Sequence, residues 1–274
     1  MKLLVSSVNR KAGKTSFIYS LSKFFRFKYE KRGSVRGAER LIPKEGEVTV
    51  VEGRENYKKG IVNNESDIDE KMDKVILIAK YEDSIFDEIA LASRNFKDRL
   101  VGVILSCVKN NVSLEDFPFK VMGLVPYDVN LGGINPKNLA KCVDGYLLAD
   151  SDILVDDILV GAMSPKCALY WLKKKRQAAL VTGGDRVDLQ KLALEIGLPC
   201  LVLTGGIEPP KVILKKAREC GTAVVLSDYD TLTSVEMIQQ GAIEPLSAEK
   251  AEKAAEIYTR HIDFKKLIEI LGFQ

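Results

Sequence analysis

Residues 2–15 read KLLVSSVNRKAGKT. The apolar run Lys2–Val5 predicts a short buried strand, and Ser6–Gly13 a polar turn. From Lys14 to about Phe27 the spacing of Phe17, Leu21, Phe24 and Phe25 predicts a helix. A turn ending AGKT between a first strand and a first helix has the chemistry of a phosphate-binding loop. Backbone N–H groups and the helix N-terminus surround phosphates, the lysine reaches the terminal one, and the Ser/Thr hydroxyl ligates Mg2+. The candidate phosphate-binding residues are Asn9, Arg10, Lys11, Ala12, Gly13, Lys14, Thr15 and Ser16. In the full pattern GxxxxGK[ST] the first glycine would fall at Val8, so a plain strand-to-helix turn carrying a surface lysine is the competing reading.

Outward from this turn, Val48–Val51 predicts a second strand that ends in Glu52-Gly53. A carboxylate at the C-terminal end of a buried strand is placed to hold Mg2+ or orient water, so Thr15 and Glu52 are the candidate metal ligands. Between them, Arg32–Glu47 reads as a loop or irregular strand. Further apolar runs at Val75–Ala79, Val101–Leu105 and Lys120–Val125 predict strands, with a helix over Ile85–Phe96. Short apolar strands alternating with helices indicate a parallel α/β sheet. Asn135 and Pro136 read as the N-cap and first residue of a helix running to Cys142.

Across Asp144–Asp157 the texture changes to acidic and small apolar residues, which places a domain boundary near 148 and divides the chain into 1–148 and 149–274. The second half repeats itself. Thr182-Gly183-Gly184 recurs as Thr204-Gly205-Gly206, each after an apolar strand (Ala179–Val181, Cys200–Leu203) and before a helix (Val187–Ile196, Pro210–Glu219). Strands at Ile158–Val160 and Ala223–Leu226 complete four βα units, which predict a smaller parallel sheet. Ligands of an open parallel sheet sit beyond the C-terminal strand ends. The candidate ligand residues are therefore Gly161, Met163, Thr182, Gly183, Gly184, Asp185, Arg186, Thr204, Gly205, Gly206, Asp230 and Thr231, with tight βα turns as the competing reading. Asp185 and Arg186 could bind a ligand or pair with each other.

A C-terminal helix starts after Ser247 and runs to about Leu271. Its stripe Ala251, Ala254, Ala255, Tyr258 and Ile262 predicts packing within the chain. His261 reads as a surface or partly packed histidine, and Tyr170, Trp171 and Leu172 as a packing face.

Composition narrows the function classes. The chain has 274 residues, 46% apolar and 29% charged, the balance of a folded globular protein. No apolar run reaches the ~20 residues of a membrane span, and no signal peptide is expected. One histidine excludes a multi-histidine metal site. The five cysteines form no CxxC pair and read as reduced, buried thiols of a cytoplasmic protein. Net charge is +3 but uneven: residues 1–60 hold 15 Lys and Arg against 6 Asp and Glu, which favours anionic ligands. A pI of 8.4 and the lack of a reader motif argue against nucleic acid, and no membrane partner is expected.

Two resemblances follow from the quoted motifs. Ser6–Thr15, VVEG at 50–53, VILS at 103–106 and MGLVPYD at 122–128 fall in the order seen in dethiobiotin synthetase-like P-loop proteins. The match is similar to the synthetase-like N-terminal region of long bacterial phosphotransacetylases. Three positions depart from that pattern: Val8 replaces the first glycine, Ser106-Cys107 stands where the family has an adenine-reading asparagine, and the stretch before Glu52 is short. In the second half, Gly161-Ala162-Met163, TGGDR at 182–186, LTGG at 203–206 and Asp230-Thr231 resemble the DRTGG domain. The resemblance implies a shortened P-loop NTPase-like α/β domain followed by a smaller α/β DRTGG domain. It implies a nucleotide-binding regulatory protein that takes ATP or another nucleotide with Mg2+, its second half sensing an anionic small molecule or forming a homo-oligomer. The alternatives are an ATP-dependent carboxylate ligase or NTPase, and a non-catalytic, degenerate scaffold that dimerises.

Overall fold

The computed structural model describes residues 1–9, 11–32, 37–43, 45–53, 72–82, 84–109, 112, 117–241 and 246–273. They form two compact units, Met1–Asp128 with Pro245–Gln274, and Val129–Glu244.

The first unit is built on a six-stranded parallel sheet: β1 (Lys2–Ser7), β2 (Lys28–Lys31), β3 (Thr49–Glu52), β4 (Lys74–Lys80), β5 (Leu100–Val108) and β6 (Val121–Pro126), in the order β2-β3-β1-β4-β5-β6. Apart from the edge strand β2, its strands are mostly apolar runs because both faces are covered. Leu3, Val5, Ile76, Ile78 and Ile104 point to one core with helix α1 (Lys14–Leu21). Leu4, Leu77, Ala79, Val103 and Leu105 point to the other with α2 (Ile85–Phe96). β2 lies where the sequence suggests only the end of a helix and a loop. It is a short edge strand of charged residues in which only Tyr29 is buried, and that pattern carries no apolar signal. Helix α1 stops at Leu21 rather than near Phe27. Beyond it, Phe24 and Phe25 leave the helical path and stack on Phe264 and Phe273, each with ring centroids 5.0 Å apart.

The second unit contains α3 (Val129–Gly132), α4 (Pro136–Cys142), β7 (Tyr146–Ala149), β8 (Asp157–Val160), α5 (Pro165–Lys174), β9 (Ala178–Gly183), α6 (Val187–Ile196), β10 (Cys200–Thr204), α7 (Lys211–Cys220), β11 (Ala223–Leu226) and α8 (Thr231–Gly241). Its sheet runs β7-β11-β10-β9-β8. Four strands are parallel as expected, but β7 pairs antiparallel with β11, so the sheet is mixed. Asn135 caps α4 by accepting from Lys137 N. That helix packs Leu139 and Val143 under β9, β10 and β11. The division between units therefore falls at Asp128, not near 148: the acidic stretch is the edge of the second unit rather than a linker.

The chain then completes the first unit with α9 (Ala248–His261) and α10 (Phe264–Leu271). The expected single helix is broken because Ile262 adopts an extended backbone and Asp263 caps a new start through Lys266 N. This segment was expected to belong with the second half. Instead Ala251, Ala255, Tyr258, Ile262, Phe264, Leu267 and Leu271 are all in the α1-side core. The predicted stripe is thus an internal packing face. Cysteine burial also differs from expectation: Cys200 is buried, but Cys167 and Cys220 are exposed, on helices α5 and α7. Tyr170 and Trp171 are exposed as well, and it is Ala168 and Leu172 that α5 buries.

Candidate functional site

The turn after β1 is held from three sides. Val8 N donates to Ile78 O at 3.2 Å. The Asn9 side chain brackets Lys80, accepting from its N at 2.8 Å and donating to its O at 2.9 Å. Ser106 Oγ donates to Ala12 O at 2.7 Å. Val8 is buried in the α2-side core, so the position of the motif's first glycine is filled by a packing side chain. Lys11 and Gly13 adopt left-handed backbones, with φ 55° and 92°. Gly13 can do so without strain because it lacks Cβ, and it opens α1 with no side-chain cap. Arg10 lies outside the described residues.

Polar groups converge at the C-terminal ends of β1, β2 and β3. Lys14, only 3% exposed, donates Nζ to Ser7 Oγ at 2.7 Å. Thr15 Oγ1 donates to Glu52 Oε1 at 2.8 Å. Glu52 is 1% exposed, and its other oxygen accepts from the Tyr29 hydroxyl at 2.6 Å. Lys31 Nζ lies 3.5 Å from Glu52 Oε1 and pairs with Glu39, which is also buried. Burial works to lower the Lys31 pKa, but Glu52 and Glu39 outweigh it and hold it above the usual lysine value. Burial, reinforced by Glu52, pushes the Tyr29 hydroxyl well above the ordinary tyrosine value, so it stays a donor. Thr15 and Glu52 offer hard oxygen ligands, the donor set that Mg2+ takes, and so fit that ion with water completing its shell.

In the second unit the Gly-Gly turns also meet. Gly184 N donates to Thr204 O at 3.0 Å, and a Cβ on Gly184 would collide with Ile207 O. Gly205 and Gly206 are left-handed, φ 82° and 65°, and donate to Tyr229 O and Ser227 O. Thr182 Oγ1 donates to Gly161 O at 3.2 Å, and Thr204 Oγ1 lies 2.8 Å from Thr231 Oγ1. Gln190, fully buried, donates to Gly184 O, while its Oε1 has no partner among the described residues.

Residues 138–241 match the family model of the DRTGG domain, and residues 30–135 match that of an AAA domain. The chain is an AAA domain followed by a DRTGG domain. A solved structure of the CBS and DRTGG domains of the regulatory region of Clostridium perfringens pyrophosphatase, complexed with the activator diadenosine tetraphosphate, matches with a TM-score of 0.37. The identity is 16%, over 57% of this chain and 69% of that one. The AAA-domain match begins after the AGKT turn, so that turn rests on its own geometry.

In the first unit, Thr15 meets Glu52 with Lys14 its neighbour in the chain, and Ser7, Tyr29, Lys31 and Glu39 join the cluster. Sequence reasoning missed these four, because residues such as a lone lysine on an edge strand and a glutamate in the short 3-10 helix Gly37–Leu41 have no recognisable spacing. In the DRTGG domain, Arg186 does not pair with Asp185. Its Nε donates to Asp188 Oδ1 at 3.2 Å and its guanidinium to Met163 O at 3.0 Å. Asp185 is exposed. Asp230 accepts from Leu232 N, Thr233 N and Thr233 Oγ1, which makes it the N-terminal cap of α8. His261 is exposed, its ring held by Ile257 O at 2.8 Å. No cluster of three His, Cys, Asp or Glu suited to a metal occurs among the described residues, and no helix is long and apolar enough to cross a membrane.

Proposed function

We propose that this chain is a nucleotide-binding regulatory protein. Its AAA domain binds the phosphates of ATP or a related nucleotide with Mg2+, and its DRTGG domain senses a small anionic ligand or joins a second copy. The observation that carries the reading is the Thr15–Glu52 hydrogen bond of 2.8 Å beside the buried Lys14. A hydroxyl on the first turn of α1 and a carboxylate at the end of β3 are paired where a phosphate-bound Mg2+ would need both. Lys14 would meet the terminal phosphate, and backbone N–H groups at the start of α1 would cradle the rest. Mg2+, when bound, supplies charge neutralisation at the phosphate oxygens.

A second reading, an ATP-dependent ligase or NTPase, is favoured by Lys31, which places another cation at the same carboxylate. In the DRTGG domain, the glycine turns offer backbone N–H groups at helix starts. Exposed Met163, Ile207, Tyr229 and Leu232 give the neighbouring loops an apolar rim suited to a ligand or to self-association. A cytoplasmic setting accords with five free cysteines.

The test is a thermal-shift series of wild type and Lys14→Ala with ATP, GTP and ADP, each with Mg2+. A ligand at one hundred times its Kd stabilises by about 2.7 kcal/mol. A shift that Lys14→Ala abolishes supports the AAA-domain reading; a shift that survives moves the ligand to the DRTGG domain. No shift with any nucleotide overturns the reading and leaves a degenerate scaffold.

A further inference from the structure

We infer that Tyr258, on the helix that completes the first unit, is a positioning residue of the phosphate loop. The inference rests on the proposed function for its ligand, but its geometry stands alone. Tyr258 is 3% exposed and its hydroxyl donates to Gly13 O at 3.4 Å. The same carbonyl accepts the first hydrogen bond of α1, from Phe17 N at 2.9 Å. A Cβ on Gly13 would collide with the Tyr258 hydroxyl, so the phenol lies against the bare Cα of the glycine.

Helix α9 is fixed to α1 on either side of this contact. Glu252 accepts from Tyr19 and pairs with Lys23 at 2.7 Å. Phe17 lies 6.4 Å from the Tyr258 ring and stacks on Phe264 at 5.8 Å. Burial keeps the phenol protonated and therefore a donor.

Gly13 needs this support because glycine alone samples many backbone conformations. Its left-handed backbone sets where α1 starts and so how the first-turn N–H groups are presented. A wedge that removes the alternatives lowers the ordering cost of taking up phosphate. Tyr258 does not touch the ligand in this scheme; it acts through Gly13.

Tyr258→Phe keeps the ring and deletes the hydroxyl. Two readouts decide the matter in the full chain. In the ligand-free protein, amide exchange at Phe17 should quicken about fivefold, the worth of one net hydrogen bond, with core amides such as Leu4 and Ile76 unchanged. Calorimetric titration with Mg-ATP should show a Kd raised by a similar factor. Unchanged exchange at Phe17 overturns the proposal, and so does a uniform rise at all core amides, which marks a merely structural role. If wild type itself fails to bind Mg-ATP, the nucleotide reading falls, and the exchange comparison still decides whether Tyr258 positions the loop.

Discussion

Tyr29 donates its hydroxyl proton to Glu52 Oε2 at 2.6 Å, from the edge strand β2 to its neighbour β3. With Thr15 on the other oxygen, both ends of a buried carboxylate are engaged. Tyr29→Phe leaves one oxygen short of a partner, which costs about 1–3 kcal/mol. Urea unfolding should show a lower midpoint with an unchanged slope. An unchanged midpoint would mean that Glu52 finds another donor.

Glu52→Gln keeps the shape of the side chain but removes the charge that a divalent cation needs. ATP affinity measured with Mg2+ and again with EDTA should then converge. The Mg2+ enhancement should fall about tenfold or more, as for an interaction with a charged group worth about 1.5–3 kcal/mol. Retained enhancement would place the metal elsewhere.

Alkaline pH should weaken the first unit. Tyr29 is held above its ordinary 10.0 by burial and then by Glu52. Tyr258 is held above the same value by burial and then by Cys107. Burial pulls Lys31 down, yet Glu52 and Glu39 carry it above 10.5. A folded pKa above the unfolded one gives stability that is complete below the unfolded value and lost as pH rises through the folded value. Wild type should therefore lose stability progressively above about pH 10, and Tyr29→Phe should lose less. Parallel loss in the two proteins would exclude Tyr29 as a source.

Gly184→Ala drives a Cβ into the Ile207 carbonyl, where neither backbone can yield cheaply. The second unit should lose about 1–3 kcal/mol, the usual cost of overpacking, while exchange protection of β1 and β4 stays intact. Full retention of the second unit's stability would show that the two turns can part.

Truncation after residue 244 removes Phe264, Leu267 and Leu271 from the first unit's core. Each such loss costs about 2–5 kcal/mol, against a total stability of about 5–15. Residues 1–244 should yield an unfolded first unit beside a folded second one, and residues 129–244 should fold alone. A cooperative, native-like first unit in the truncated chain would contradict this core assignment.

Much of the architecture was legible because parallel strands buried on both faces read as plain apolar runs. Ile85–Phe96, Val187–Ile196 and Ala223–Leu226 have the bounds the sequence suggests. The AGKT turn was legible for another reason: its chemistry demands fixed neighbours. What escaped was non-local. Lys31 reaches Glu52 only through strand order, Glu39 joins by pairing with Lys31, and Tyr258 reaches Gly13 across most of the chain. Nothing in the local pattern of α9 says which core its alanine stripe will join, so the stripe was legible and its destination was not.

That destination sets a schedule for the nascent chain. The ribosome delivers every residue of the second unit before it delivers α9 and α10, which the first unit needs. At about 5–20 residues per second, the second unit can mature while Phe17, Ile18 and Leu21 still present an uncovered apolar face. The first unit is thus the later of the two to fold. Chaperone demand should centre on that waiting face of α1, which is made well before α9.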